Sequence, residues 1–449
     1  MNIGAPAREH IESAHFTVVT RRTDRGYVDA LSCLGMPSHW LIWAIAAASL
    51  TGVIARPKGT SEAMWACIGA LALVVFALLP ASEALAAVLS GTDVYLFLIG
   101  MMLLAELARE EGLFDWLAAY AVRHAGGSAS RLFLLIYCVG ALVTIFLSND
   151  ATAVVLTPAV YAAAKRAKAA PLPYLFACAF IANAASFVLP ISNPANLVVF
   201  GSRIPGLRAW LGQFGASAAA SILLTYIALR VTQRAHLKEP LSRTVALPVL
   251  GTAGRIAAAA IALTAILLLA CSGLSLQLGL PTFLAGFCTC LLISLIKRSA
   301  PTLLLAHISW SILPLVAGLF VLVKGVENTG ALTAFSGLVS AQAAASPLTT
   351  AFGTGILVAL AGNLVNNLPM GLFAGAAGAA AHWPTAVKAA VLVGVDLGPN
   401  LSVTGSLATL LWLIAIRREG ENVSAWRFLA LGAIVMPPAL FGALALATH

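Results

Sequence analysis

Two polar clusters interrupt the apolar sequence in matching fashion. The first is Ser148-Asn149-Asp150, followed by Ser192-Asn193-Pro194-Ala195-Asn196. The second is Asn366-Asn367-Leu368-Pro369, followed by Gly398-Pro399-Asn400 with Thr404-Gly405-Ser406. Asn both donates and accepts hydrogen bonds, and Ser and Thr hydroxyls turn to suit. Such side chains are costly in hydrocarbon unless something binds them. Duplicated, broken apolar segments at the same place in two halves point to a transporter's binding site. The candidate binding residues are Ser148, Asn149, Thr152, Ser192, Asn193, Asn196, Asn363, Asn366, Asn367, Asn400, Thr404 and Ser406. Asp150 at the first tip and Asp396 beside the second break are the candidate proton carriers, since a buried carboxyl can bind and release a proton. The competing reading is that these residues only cap broken helices.

Such a site suits a small polyhydroxylated solute, a carboxylate or a sodium ion. No Lys or Arg cluster accompanies the tips, and a carrier of large anions would want one. A neutral cargo would not. No catalytic residue, cofactor or metal site is expected: the chain has no His-Glu-x-x-His motif and no nucleophile paired with a base.

The elements that position these residues must lie in a membrane. Of 449 residues, 60% are hydrophobic and 10% charged, and the mean hydropathy is +0.95. A soluble domain carries about 25% charged residues, so a soluble fold is excluded. The net charge of +9 sits in loops, as the positive-inside bias produces, and no nucleic-acid-binding signature accompanies it. The seven cysteines fall mostly inside apolar runs, where they ease helix packing. No cleavable signal is apparent in the polar N-terminal segment.

The sequence predicts an all-α polytopic membrane protein of about ten spanning helices. Residues 1–39 form a polar tail, 40–229 a first repeat, 230–255 a basic cytoplasmic linker and 256–446 a second repeat. Leu132–Ala164 is too short for two spans and carries its polar point at the middle, with Arg131 and Lys165, Arg166 and Lys168 at its ends. It reads as a re-entrant hairpin entered from the cytoplasm, and Pro347–Ala381 as its counterpart entered from outside. Leu172–Gly201 and Trp383–Ile416 read as discontinuous helices, the first broken around Pro190 and Pro194. Gly100 and Gly112 recur as Gly318 and Gly330 at an offset of 218, which also carries Asn149 to Asn367. The broken helices align only after a gap, Asn193 to Asn400 being 207. An odd number of spans per half makes the repeats inverted.

These motifs resemble the ArsB arsenite permease family of the ion transporter superfamily. Phe146-Leu147-Ser148-Asn149-Asp150-Ala151 with Leu156-Thr157-Pro158 looks like its first hairpin, and Val365-Asn366-Asn367-Leu368-Pro369 like its second. Gly394-Val395-Asp396-Leu397-Gly398-Pro399-Asn400 with Gly405-Ser406-Leu407-Ala408-Thr409-Leu410-Leu411-Trp412 is the most specific match. Residues 402–404 depart from it, reading Ser-Val-Thr where arsenite members commonly carry a Thr-Pro pair. The Ser192–Asn196 stretch looks closer to superfamily relatives.

The resemblance covers about residues 40–445. It implies an inner-membrane, multi-pass exporter of arsenite or antimonite in exchange for protons, moving by an elevator-type motion. It also implies a homodimer and, in some members, an arsenite-stimulated ATPase of the ArsA type. The same superfamily includes sodium-coupled di- and tricarboxylate carriers and Na+/H+ antiporters, which are the alternative readings.

Overall fold

The computed structural model describes residues 38–201, 204–242 and 247–448. Most of the expected N-terminal tail, including Cys33, and Arg243 of the expected linker lie outside the described residues. The described elements are helical, joined by short turns.

The first half runs α1 (Ser38–Ala55), α2 (Glu62–Val75), α3 (Ala81–Ser90), α4 (Thr92–Glu110) and α5 (Leu113–Ala125). It continues with α6 (Ala129–Phe146), α7 (Thr157–Arg166), α8 (Leu172–Ala184), α9 (Pro194–Phe200) and α10 (Leu207–Thr232). The second half repeats that order as α11 (Thr252–Gly273), α12 (Gly279–Lys297), α13 (Thr302–His307), α14 (Ile312–Asn328) and α15 (Ala331–Ala345). It ends with α16 (Pro347–Val365), α17 (Asn367–Ala380), α18 (Thr385–Leu397), α19 (Leu407–Arg418) and α20 (Ala425–Ala447).

Packing repeats along with the order. α4 packs on α12, and its counterpart α14 packs on α2; α6 packs on α8, and α16 on α18; α10 and α20 pack on each other. The glycines of the sequence repeat explain two of these contacts. A Cβ on Gly100 would strike the backbone of Thr282 in α12, and one on Gly318 would come 2.8 Å from the backbone of Ala66 in α2. Small residues let membrane helices approach this closely. Gly112 and Gly330 likewise share a job. Both hold left-handed backbone, at φ +74° and +83°, where the chain turns out of α4 into α5 and out of α14 into α15.

Among the described residues, seven single helices are long and apolar enough to cross a membrane, or nine with the bent pairs α3–α4 and α14–α15 each taken as one span. The protein is a multi-pass membrane protein. The figure falls below ten because α2 and α8, at 14 and 13 residues, are shorter than the ~20 residues a span needs. α5 and α15 were not among the expected spans. α5 carries Asp115, Arg123 and His124, which mask its apolar face in the sequence.

The hairpins and broken helices share one core, built on fully buried Phe133, Phe176, Phe180, Trp210, Trp412 and Phe428. Two smaller cores lie apart from it. One joins α1, α2 and α14 around Ile42, Leu73 and Leu322, and the other joins α4, α11 and α12 around Leu107, Ala257 and Ile293.

Candidate functional site

Each polar interruption becomes the start of a helix. At the first hairpin tip the chain leaves α6 at Leu147, and Ser148 Oγ accepts from the Ala151 N–H at 3.1 Å. Asn149 Oδ1 accepts from the Asp150 N–H at 3.0 Å, and a π-helical turn over Ala151–Leu156 leads into α7. Such turns are frequent at functional sites. At the second tip Asn366 combines positive φ (+76°) with extended ψ (150°), a conformation otherwise left almost entirely to Gly, and its Oδ1 accepts from the Leu368 N–H at 3.3 Å. Asn193 caps α9 by accepting from Ala195 N–H at 3.0 Å, and Ser406 caps α19 by accepting from Thr409 N–H at 3.1 Å. These caps account for why Asn and Ser stand at these positions: each satisfies an N–H that a helix start leaves open.

The two breaks are equal in length, residues 185–193 between α8 and α9 and residues 398–406 between α18 and α19. They therefore superimpose at an offset of 213. The offset of 207 read from Asn193 and Asn400 is corrected: Asn193 corresponds to Ser406, and Asn183 to Asp396. The residues then bond crosswise. Asn193 Nδ2 donates to Asp396 Oδ1 at 2.7 Å, and Ser406 Oγ donates to Asn183 Oδ1 at 3.4 Å. Asn183 Nδ2 also donates to Asn400 Oδ1 at 3.0 Å. Each broken helix thus holds the other at its break. Asp396 is fully buried, and its Oδ2 has no hydrogen-bond partner among the described residues.

Both tips and both breaks meet at one small cavity of about 40 Å³. It is lined by Asn149, Asp150, Asn193, Asn366, Asn367 and Ser406, with Glu62 and apolar residues of α4 and α14 closing it. That space holds a few water-sized groups. The starts of α9, α17 and α19 face it, as does the tip that opens the π-helical turn after Asp150, so donor N–H groups and the positive ends of helix dipoles converge there. Among the described residues its charged lining is two acids, Asp150 and Glu62, with no Lys, Arg or His.

The other expected site residues lie around this cavity rather than on it. Ser148 lines an adjoining crevice. Thr152 bonds Thr144 Oγ1 at 2.8 Å inside the first hairpin. Ser192 Oγ donates to Ile145 O at 3.0 Å, tying the break to α6. Asn196 Nδ2 donates to Ser186 O at 2.9 Å and so braces its own loop. Asn363 spans the second hairpin and the second break: its Nδ2 donates to Gly398 O at 2.9 Å and its Oδ1 accepts from Ser402 at 2.6 Å. Thr404 Oγ1 donates to Asn363 O at 3.0 Å. Asn400 Nδ2 donates to Phe180 O at 3.1 Å. Asp396 stands behind Asn193.

Sequence reading missed Asn183, Thr409, Ser402 and Glu62. The offset of 213 would have found the first two, since Asn183 pairs with Asp396 and Thr409 with Asn196. Glu62 carries no such signal. It opens α2 in a loop-like context, paired with Arg56 at 2.8 Å.

A family model described as citrate transporter (CitMHS) matches residues 38–417, which includes all four polar interruptions. The chain belongs to the CitMHS family. Within this wider group it is similar to the arsenical pump membrane protein of Escherichia coli K12, at 28% identity over 430 residues, covering 90% of this chain and 97% of that one. The arsenical pump membrane protein of Yersinia enterocolitica is 28% identical over 374 residues, covering 77% and 84%. Among solved structures, the YdaH transporter of Alcanivorax borkumensis shares the fold. Its TM-score is 0.55 at 16% identity, over 81% of this chain and 86% of that one. This CitMHS member is accordingly an ion transporter, a carrier rather than an enzyme.

Proposed function

We propose that this protein exports trivalent arsenite or antimonite, as neutral hydroxides, in exchange for protons. The observation that carries the reading is the lining of the central cavity. Helix-start N–H groups and the amides of Asn149, Asn193, Asn366 and Asn367 meet Asp150 there, with no cation. A trihydroxide both donates and accepts through every oxygen, so it can use amides, N–H groups and a carboxylate together. A tricarboxylate would bring three charges beside Asp150, and Arg56, the cation paired with Glu62, does not line the cavity. The similarity to arsenical pumps supports the same reading. Asp150 and Asp396 are the proton carriers in it.

A carboxylate carrier is the second reading, favoured by the helix starts that converge on the cavity and by the family's description. The halves are taken as inverted repeats in the inner membrane. The hairpins and broken helices would move as one body against α1, α2, α11 and α12, within a homodimer, and an ArsA-type ATPase is a candidate further partner.

Expression in a bacterial strain lacking its own arsenite pump tests the proposal. It should raise arsenite and antimonite tolerance and lower cellular arsenic. Unchanged accumulation of both, together with citrate transport in vesicles, would replace it with the second reading.

A further inference from the structure

Beside the central cavity lies a second space of about 90 Å³, between α4, the first hairpin and α13. Asp150 lines both. From Asp150 this crevice runs past Ser148, Ala151 and Met102 to Glu106, His307 and Ser309. Glu106 is buried and held by Arg109, whose Nε donates to Oε2 at 2.9 Å and whose Nη2 also bonds it. His307 Nδ1 stands 3.9 Å from Glu106 Oε1, and its side chain is exposed. Other charged groups on the packed elements have partners of their own. Lys297 of α12 pairs with Glu111 at 2.6 Å, Arg255 of α11 bonds Leu250 O, and both Glu110 of α4 and Asp115 of α5 act on the Arg109 guanidinium.

The repeat supplies an internal control. A comparable crevice lies between α14 and the second hairpin, its third wall formed by α1 rather than by α3, the counterpart of α13. Four of its lining residues are the repeat mates of residues in the first, each 218 later: Leu319 for Met101, Val323 for Ala105, Pro369 for Ala151 and Phe373 for Val155. Its chemistry is different. Among the described residues its polar groups are the Thr51 hydroxyl and the Trp43 indole N–H. The mate of Asp150 is Leu368, and the mate of Glu106 is Lys324, which pairs with Glu327 at 3.2 Å and does not line the space. Two crevices whose helix and hairpin walls correspond are therefore unlike, one lined by acids and one apolar.

We infer that the crevice ending at Glu106 and His307 is the path by which Asp150 gives up its proton to the cytoplasmic side, and that its apolar mate is not a proton route. This rests on the proton-exchange reading above. The space has room for several waters, and the Glu106 carboxyl and the exposed His307 ring at its mouth place hydrogen-bonding groups between it and bulk water. In each cycle the Asp150 carboxyl, protonated while the site faces outside, releases one proton along this crevice as the cargo binds. The proton leaves through the Glu106–His307 mouth to cytoplasmic bulk water, and the carboxylate left behind takes up the next proton when the site faces outside again. Glu106 acts through Asp150 and is a positioning and relay residue.

Two measurements test it, the first independent of cargo. On a Cys-free background, Met102→Cys and Val154→Cys should react with a water-soluble maleimide at least about tenfold faster than Val323→Cys and Met370→Cys, because a thiol reacts as the hydrated thiolate. Equal rates at the two crevices would overturn the asymmetry.

The second uses proteoliposomes. Glu106→Gln should lower pH-gradient-driven arsenite accumulation by about tenfold or more, as loss of an acid–base group does, while arsenite counterflow at symmetric pH continues. Glu106→Asp should recover part of the loss, and Lys324→Met should change neither assay. Full pH-driven accumulation in Glu106→Gln, or equal loss of counterflow, would overturn the relay. A wild-type protein with no pH-driven arsenite accumulation would instead defeat the proposed function, leaving the labelling result to decide the crevice.

Discussion

Asn193 Nδ2 donates to Asp396 Oδ1 at 2.7 Å, joining residues 203 apart in sequence at the heart of the protein. Asn193 is the cap of one half-helix and Asp396 lies in the last turn of another. The relation is reproduced with other chemistry by Ser406 and Asn183. One crossing thus carries an ionisable group and the other only neutral ones.

Asn193→Ala should remove the one bond Asp396 makes and leave both carboxylate oxygens buried without partners. A lost buried partner of a charged group costs on the order of 1–3 kcal/mol. The purified variant should melt several degrees lower in detergent, whereas Asn183→Ala, which strands only neutral groups, should cost less. Thermal unfolding followed by tryptophan fluorescence compares them.

Asp150→Asn keeps size and hydrogen bonding at the tip but cannot carry a proton. It should still exchange arsenite at symmetric pH yet lose pH-gradient-driven accumulation in inverted vesicles. Asp396→Asn should act alike or more weakly, because Asp396 reaches the cavity only through Asn193. If both variants retain full proton-driven transport, these acids serve as helix caps and the coupling group lies elsewhere.

None of the six cysteines among the described residues lines the central cavity. Replacing all seven with Ala or Ser should therefore leave arsenite efflux largely intact. Loss of efflux by a stable, membrane-inserted Cys-free protein would argue for direct arsenic–sulfur coordination.

Gly100→Leu would drive a side chain into the α12 backbone at Thr282. Overpacking of this kind costs about 1–3 kcal/mol. Lower yield of folded protein is expected, with Gly318→Leu behaving the same way against α2. Gly212→Leu meets open space and should be neutral. Fluorescence-detected size-exclusion of the three variants gives the comparison.

The Arg230–Arg255 loop and Lys165–Lys168 are expected on the cytoplasmic side, by the positive-inside bias. Lys238→Cys on a Cys-free background should resist an impermeant thiol reagent in intact cells and react in inverted vesicles. Reaction from outside would reverse the orientation.

Much of this was legible from residues alone. The Gly100/Gly318 and Gly112/Gly330 pairs marked the recurring order of elements, because helix contacts and left-handed turns tolerate few other residues and so leave a mark in the sequence. The two hairpin tips were legible for a similar reason: Asn149 and Asn367 are polar points within otherwise apolar stretches, and lipid leaves no other cause for them. Tertiary structure alone decided which polar residues face the cavity and which brace the frame. Thr152, Asn196 and Thr404 looked like Asn149 and Ser406 in sequence, but helix rotation turned them onto backbone carbonyls. It also decided the crossed bonding of the breaks and the unlike chemistry of the two crevices. Both depend on residues more than two hundred positions apart, and one chain's local pattern carries no record of which distant group a side chain will meet.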